Sequence, residues 1–184
     1  MRAAAVAVAL SALGLAASAP AQPVPRFCRT SLLHIWVTRT GVGLGTVGGY
    51  LAFTNRGQSS CSLHGWPTLT ALRPGASTTA IRVHETMFGP DEKIRGIWRS
   101  VRGVPTVTLR HGQTAVAAFT GSDIGLGPTG KCPPPYRTLA VTPPANRAST
   151  LVVAWIAYYG HYMPSCARIE VSMIVPAADL PPRG

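Results

Sequence analysis

The sequence predicts an all-β fold, a single immunoglobulin-like β-sandwich of about eight or nine strands stapled by two disulfides. Nine short runs rich in β-branched and aromatic residues follow one another, and clusters of Gly, Pro, Asn or Ser separate them. Four widely spaced cysteines add the second observation. Short strands with frequent turn signals are typical of a sandwich.

The predicted strands occupy residues 31–38, 46–55, 67–72, 79–84, 106–110, 114–120, 137–142, 150–159 and 168–175. The first two form a hairpin around "TGVGLG", and the second alternates so that Val47, Leu51 and Phe53 share one face. A second hairpin is expected to turn at His111 and Gly112.

The N-terminal stretch "MRAAAVAVALSALGLAASAPAQ" has one cation, an apolar run and small residues at its end, as a secretory signal peptide does. The run is too short to span a bilayer, and no small-residue lipoprotein box precedes Cys28. We expect a signal peptide at 1–21, a short tail at 22–27, the sandwich domain at 28–176 and a flexible tail at 177–184. The chain is therefore predicted to be secreted, extracellular and without a transmembrane segment or lipid anchor.

Cysteines in an exported chain favour disulfides over a zinc site, which needs closely spaced pairs. Their number alone allows three connectivities. In the first hairpin we expect the residue numbers of paired positions to sum to about 85. This register places the start of the first strand beside the end of the second, which predicts a Cys28–Cys61 disulfide. If the last three strands run up, down and up, the first and the third begin at the same end of the sandwich. Cys132 lies just before the first of them and Cys166 just before the third, which predicts that they pair.

The segment "CSLHGWP" concentrates a cysteine, a glycine, a tryptophan and a proline at residues 61–67. We interpret it as a structural joint, by which we mean a segment that connects strands and holds them in place without taking part in any chemistry. Leu63 points inward, and Gly65 takes a backbone angle that other residues avoid. Trp66 fills space and needs a partner for its N–H, while Pro67 starts the next strand.

The formal net charge is +11, which falls to +10 without Arg2, and such a surplus suits an anionic partner. Arginine outnumbers lysine, and a GC-rich genome produces that composition without selection for a partner. The stretch "KIRGIWRSVRG" is predicted to form a short helix or irregular turn. Its candidate anion-binding residues, which could equally be ordinary solvated surface, are Lys93, Arg95, Trp98, Arg99 and Arg102.

Catalytic and cofactor motifs are sparse. "GLGTVG" matches a dinucleotide-binding pattern, but a strand-like run follows it and the next carboxylate, Glu85, comes too late. A hydrolase would draw on six carboxylates, of which Glu170 is expected to face solvent from a strand. No G-x-S-x-G elbow is present. We therefore expect no enzyme activity and no cofactor.

Two His–Met pairs suggest an alternative, because imidazole and thioether ligands suit copper. They are His84 with Met87 and His161 with Met163. Methionine is also a common gap filler in cores, and sequence spacing does not show whether the pairs meet. Copper binding is thus the second hypothesis for function, and a secreted hydrolase the third.

The chain resembles the exported actinobacterial family called domain of unknown function 4232. The resemblance rests on "CSLHGWP", on "YLAFTNRGQSSC" before it, on "VTLRHGQTAVAAF", and on "KCPPPYRTLAVTPP" and "SCARIEVSMIVP" near the end. It implies an exported β-sandwich with no established activity. Our leading hypothesis is a noncatalytic module that binds the cell envelope, with an anionic polymer or surface as partner rather than nucleic acid.

Overall fold

The structure, a computed structural model, describes residues 26–43, 45–83, 104–125, 130–157, 160–164, 166 and 168–177. Within these residues the chain forms fourteen strands and one 3-10 turn, Thr30–Leu32. The strands are β1 Leu33–Gly43, β2 Thr46–Asn55, β3 Cys61–His64, β4 Thr68–Arg73, β5 Ala76–Thr79, β6 Ile81–Arg82, β7 Thr106–Leu109, β8 Thr114–Ser122, β9 Thr138–Thr142, β10 Thr150–Val153, β11 Trp155–Ile156, β12 His161–Tyr162, β13 Glu170–Val171 and β14 Val175–Pro176. The predicted all-β class is confirmed.

Two sheets form the sandwich. The larger has the strand order β1-β2-β8-β13-β6, and β14 also pairs with β8. The smaller has the order β10-β9-β4-β5. Two short ladders, β3–β7 and β11–β12, complete the described strands. The strands β1 and β10 therefore lie at sheet edges, a position that governs the candidate site below.

The main core lies between the two sheets. Leu51 and Phe53 of β2 and Phe119 of β8 meet Leu69 of β4 and Leu139 of β9, and all five are fully buried. Each such side chain contributes roughly 1.5–3 kcal/mol through the hydrophobic effect. The predicted inward face of β2 is thus confirmed, since strand residues two apart point to the same side.

The other face of the larger sheet carries a second apolar cluster. Its buried members are Tyr50, Ala52, Val116, Ala118, Met173 and Val175, and Trp36, Trp66 and Ala177 pack against it. Because β2 and β8 bury both faces, they are apolar along nearly their whole length instead of alternating with polar residues.

The two predicted hairpins have different outcomes. The β1–β2 hairpin forms, but Ile35 pairs with Phe53, so partner numbers sum to 88 rather than 85. A bulge between Thr38 and Gly41 then shifts the register. The hairpin predicted at His111 is wrong, because β7 pairs with β3 while β8 pairs with β2. That turn instead carries the chain from one ladder to another sheet.

The strand count exceeds the predicted eight or nine because several apolar runs are interrupted. At Ser172 the hydroxyl oxygen accepts a hydrogen bond from the Ala118 N–H at 2.9 Å and donates to the Met173 carbonyl oxygen at 2.9 Å. These bonds replace regular ladder contacts and divide the predicted strand 168–175 into β13 and β14. The predicted strand 150–159 likewise yields β10 and β11.

Candidate functional site

Both predicted disulfides are present, and they join all four cysteines. Cys28 is bonded to Cys61 with a Cα–Cα distance of 4.8 Å. Cys132 is bonded to Cys166 with a Cα–Cα distance of 4.5 Å. No cysteine is therefore free to act as a nucleophile or a thiolate ligand.

The first disulfide forms for a reason that differs from the predicted one. Residues 26–28 do not continue the antiparallel hairpin but run parallel to β3, with Phe27 paired to Ser62. The Cys28 N–H donates to the Ser62 carbonyl oxygen at 3.0 Å. Asn146 fixes this segment from the β9–β10 loop, donating from Nδ2 to the Cys28 carbonyl oxygen at 2.8 Å. The 3-10 turn makes this change of direction possible.

The second disulfide follows an antiparallel bridge between Tyr136 and Met163. The Tyr136 N–H donates to the Met163 carbonyl oxygen at 2.9 Å. This bridge brings the segment before β9 alongside the segment after β12, and the two cysteines lie a few residues beyond it.

The "CSLHGWP" segment makes the contacts of a structural joint. Leu63 is fully buried, and Gly65 has a φ of +95°. The Gly65 carbonyl oxygen accepts the Ile174 N–H at 2.9 Å. Trp66 donates its indole N–H to the Val83 carbonyl oxygen at 2.8 Å, and buried Pro67 immediately precedes β4. The segment thus connects β3 and β4 to the larger sheet.

Asn55, the last residue of β2, was not singled out by sequence reasoning although it belongs to the quoted "YLAFTN" motif. It is fully buried. Its Nδ2 donates to the carbonyl oxygens of Leu109 at 3.0 Å and Ser59 at 2.9 Å, and its Oδ1 accepts the Gly57 N–H at 2.8 Å. The side chain therefore satisfies the backbone of the loop that leads to Cys61.

The "GLGTVG" segment is the turn of the β1–β2 hairpin followed by strand. A Cβ atom added at Gly48 would clash with the Phe119 carbonyl oxygen of β8. Glycine at this position permits close approach of two strands. No helix N-terminus follows to hold a phosphate, since β2 begins at Thr46.

The predicted anion-binding residues Lys93, Arg95, Trp98, Arg99 and Arg102 lie outside the described residues, as do His84 and Met87. Of the second His–Met pair, His161 is exposed and donates from Nδ1 to the Tyr162 carbonyl oxygen at 2.8 Å. Met163 is fully buried in the main core. The described part of the chain contains no group of three His, Cys, Asp or Glu side chains arranged to hold a metal ion.

Two carboxylates, Asp123 and Glu170, belong to the described residues. Glu170 was expected to face solvent, but its side chain is only 16% exposed and lies 2.9 Å from Arg168 Nη2. Its strand, β13, lies between β6 and β8 in the larger sheet. A carboxylate held by an arginine fits a structural ion pair.

Sequence reasoning missed an apolar stripe on the edge of the smaller sheet. Leu151 is 67% exposed, Val153 is 61% exposed and Trp155 is 43% exposed, whereas the intervening Val152 and Ala154 are buried. The three exposed side chains, two residues apart along β10 and β11, point outward together. The alternation was hidden in the sequence because apolar residues occupy both faces.

This stripe of Leu151, Val153 and Trp155 borders a groove of about 460 Å³ between β10–β11 and β1. From β1 the groove is lined by Trp36, Thr38 and Arg39 among others. Arg39 lies in the bulge with a φ of +47°, a backbone conformation that is uncommon outside glycine. A residue of this bulge therefore forms part of the groove wall.

Aromatic rings and a cation lie at the end of the stripe. The rings of Trp155 and Tyr162 meet edge to face with centroids 5.4 Å apart. The Arg137 guanidinium carbon lies 5.5 Å from the Tyr162 ring centroid, a cation–π contact. Arg73 stands over Tyr136 at the same distance, 5.5 Å.

The strands that surround the groove carry no acidic side chain. The sequence has neither Asp nor Glu at residues 26–84 or at residues 124–169. These ranges include β1 to β6 and β9 to β12, hence every strand of the smaller sheet and both walls of the groove. Cations are present there, at Arg39, Arg73, Arg82, Arg137 and Arg147.

The fold and its joints define a class of protein, the small all-β sandwich domain held by two disulfides. The family model described as Domain of unknown function (DUF4232) matches residues 28–172, and the chain belongs to this family. The resemblance noted in the sequence is thereby confirmed. No curated protein and no solved structure matches the chain significantly. In the described part of the chain, no helix is long and apolar enough to cross a membrane.

Proposed function

We propose that this chain is an exported, noncatalytic module that associates with an anionic polymer or surface of the cell envelope. The observation that supports this function most directly is the absence of carboxylates from the smaller sheet, from β1 and from β11–β12, where arginines remain. An extended surface with one sign of charge raises the local concentration of an oppositely charged partner.

The arrangement of the cations strengthens the proposal. Arg137 lies over the Tyr162 ring, which restricts the guanidinium without neutralising it. A guanidinium held in this way retains donors for carboxylate or phosphate groups. The pairing of every cysteine and the Arg168–Glu170 contact agree with a binding role rather than a catalytic one.

The test is retention of the purified exported chain on dextran sulfate, compared with neutral dextran, as salt increases. We expect retention on dextran sulfate alone, weakening steadily with salt because each contact releases counterions. Arg137→Glu should weaken it, whereas Arg110→Glu, the same change at the exposed β7–β8 turn, should have less effect. Reversal of Arg95, Arg99 and Arg102 measures what the basic stretch contributes. Equal retention on both matrices would contradict the proposal.

A further inference from the structure

We infer that the anionic surface is a lipid bilayer and that the stripe of Leu151, Val153 and Trp155 is the part that enters it. This inference rests on the proposed function and makes it more specific. It identifies one edge of the smaller sheet as the docking site and anionic phospholipid headgroups as the chemistry recognised.

The apolar argument comes from exposure and spacing. Single exposed apolar residues are normal on a protein surface, but a contiguous group marks a partner or membrane site. Leu151, Val153 and Trp155 are 67%, 61% and 43% exposed on consecutive outward positions. At about 6.6 Å for each pair of residues, the stripe is roughly 13 Å long. Side chains that project from an edge strand in this way can reach the acyl boundary without any change in the fold.

The polar rim of the stripe matches the chemistry of a bilayer interface. Tryptophan and tyrosine concentrate at headgroup level, because one end of each ring system is apolar and the other is polar. Trp155 and Tyr162 are in contact at the end of the stripe, and Arg137 lies over Tyr162. The succession from aliphatic through aromatic to cationic side chains follows the succession from acyl chains to phosphate groups.

Charge selects a lipid surface over a protein partner. Peripheral binding usually needs two signals together, an inserted apolar group and attraction to anionic lipids. Each Lys or Arg near an anionic leaflet contributes roughly 1 kcal/mol. Among the described residues, the lining of the groove contains no carboxylate, and the cation Arg137 lies over Tyr162 at the end of the stripe. A protein interface would ordinarily include some charges of both signs for register, whereas the described residues of this face carry no carboxylate.

The experiment measures flotation of the purified exported chain with two kinds of vesicle. One contains phosphatidylcholine alone, and the other contains phosphatidylcholine with phosphatidylglycerol. We expect binding to the mixed vesicles and roughly tenfold or greater loss in Leu151→Ser/Val153→Ser, because two exposed aliphatic groups no longer leave water. Ile81→Ser, an apolar residue 47% exposed on β6, is the matched control and should change binding less than twofold. Unchanged melting temperatures show that the variants fold.

The outcomes separate this inference from the proposed function. Leu151→Ser/Val153→Ser should keep its retention on dextran sulfate while losing the vesicles. Dextran sulfate retention without any vesicle binding by the original chain would overturn the membrane inference and leave the proposed function standing. If the original chain bound neither dextran sulfate nor the vesicles, both the proposed function and the membrane inference would be rejected. A concentration-dependent dimer that Leu151→Ser/Val153→Ser converts to monomer would assign the stripe to a second copy of the chain, and the membrane inference would be wrong.

Discussion

The indole N–H of Trp66 donates to the backbone carbonyl oxygen of Val83 over 2.8 Å. This bond ties the joint between β3 and β4 to the residue that follows β6, at the far edge of the larger sheet. The Trp66 ring also packs against the second apolar cluster on that sheet. One side chain therefore joins a local motif to the sandwich.

Replacing Trp66 by Phe should destabilise the fold by about 1–3 kcal/mol, because a smaller ring leaves a gap and the Val83 carbonyl loses its partner. The free energy of unfolding in urea measures the effect. Trp155→Phe is the matched control, since that ring is 43% exposed and its loss should stay within about 0.5 kcal/mol. Equal losses would contradict the structural role of Trp66.

Removing the Asn55 side chain should be among the most damaging polar substitutions in the chain. Asn55→Ala leaves the Gly57 N–H and the Leu109 carbonyl without their side-chain partner, and each buried group costs about 1–3 kcal/mol. Asn146→Ala removes a comparable set of bonds from a half-buried side chain, where water can replace them. Urea unfolding should therefore show the larger loss for Asn55→Ala. The opposite order would show that burial does not govern these two sites.

Gly65→Ala should cost about 1–3 kcal/mol through the backbone alone. Its φ is +95°, and an added Cβ would lie an ordinary 3.9 Å from the Val104 side chain, so no clash contributes. Gly43→Ala is the control, because that position lacks a positive φ and has nothing within 4 Å. Thermal unfolding compares the two, and a harmless Gly65→Ala would mean that the joint can relax.

The two disulfides should be reduced in sequence. Cys28 and Cys61 are 1% and 9% exposed, whereas Cys132 is exposed and Cys166 half-buried, so a reductant reaches the second pair first. Alkylation and peptide mass mapping during mild reduction should find Cys132 and Cys166 labelled before Cys28. The loops span 33 and 34 residues, and chain entropy assigns each bridge about 3.7 kcal/mol. Full reduction should then lower the melting temperature markedly, and earlier labelling of Cys28 would refute the order.

Processing gives a prediction that depends only on the N-terminal sequence. The exported chain should begin at Gln22, with Ala19 and Ala21 as the small residues before the cut. Intact-mass analysis of secreted material should match that start with two disulfides and no lipid. A retained N-terminus would contradict it.

Local patterns were sufficient for the fold class and for the cysteine partners. Strand alternation and turn residues are short-range properties, so most strands could be predicted from the sequence. Register was less accessible. The residue numbers of paired positions in β1 and β2 sum to 88 instead of the predicted 85. Cys28 reaches Cys61 through a segment that runs parallel to β3, and no local pattern in the sequence indicates it. The pairing was right because the two cysteines flank the same hairpin under either geometry.

The all-β class, both disulfides and the structural character of Gly65 and Trp66 could be predicted before the fold was known, because they depend on residue type and on neighbours along the chain. Which strands lie at sheet edges depends on the strand order of the assembled sandwich. The run "TLVVAW" has apolar residues on both faces and resembles a strand buried on both sides. The strand order places β10 at an edge, and Leu151 and Val153 are left in solvent. Neighbours in a sheet come from distant parts of the chain, so exposure of one face of a strand is a property of the assembled sandwich.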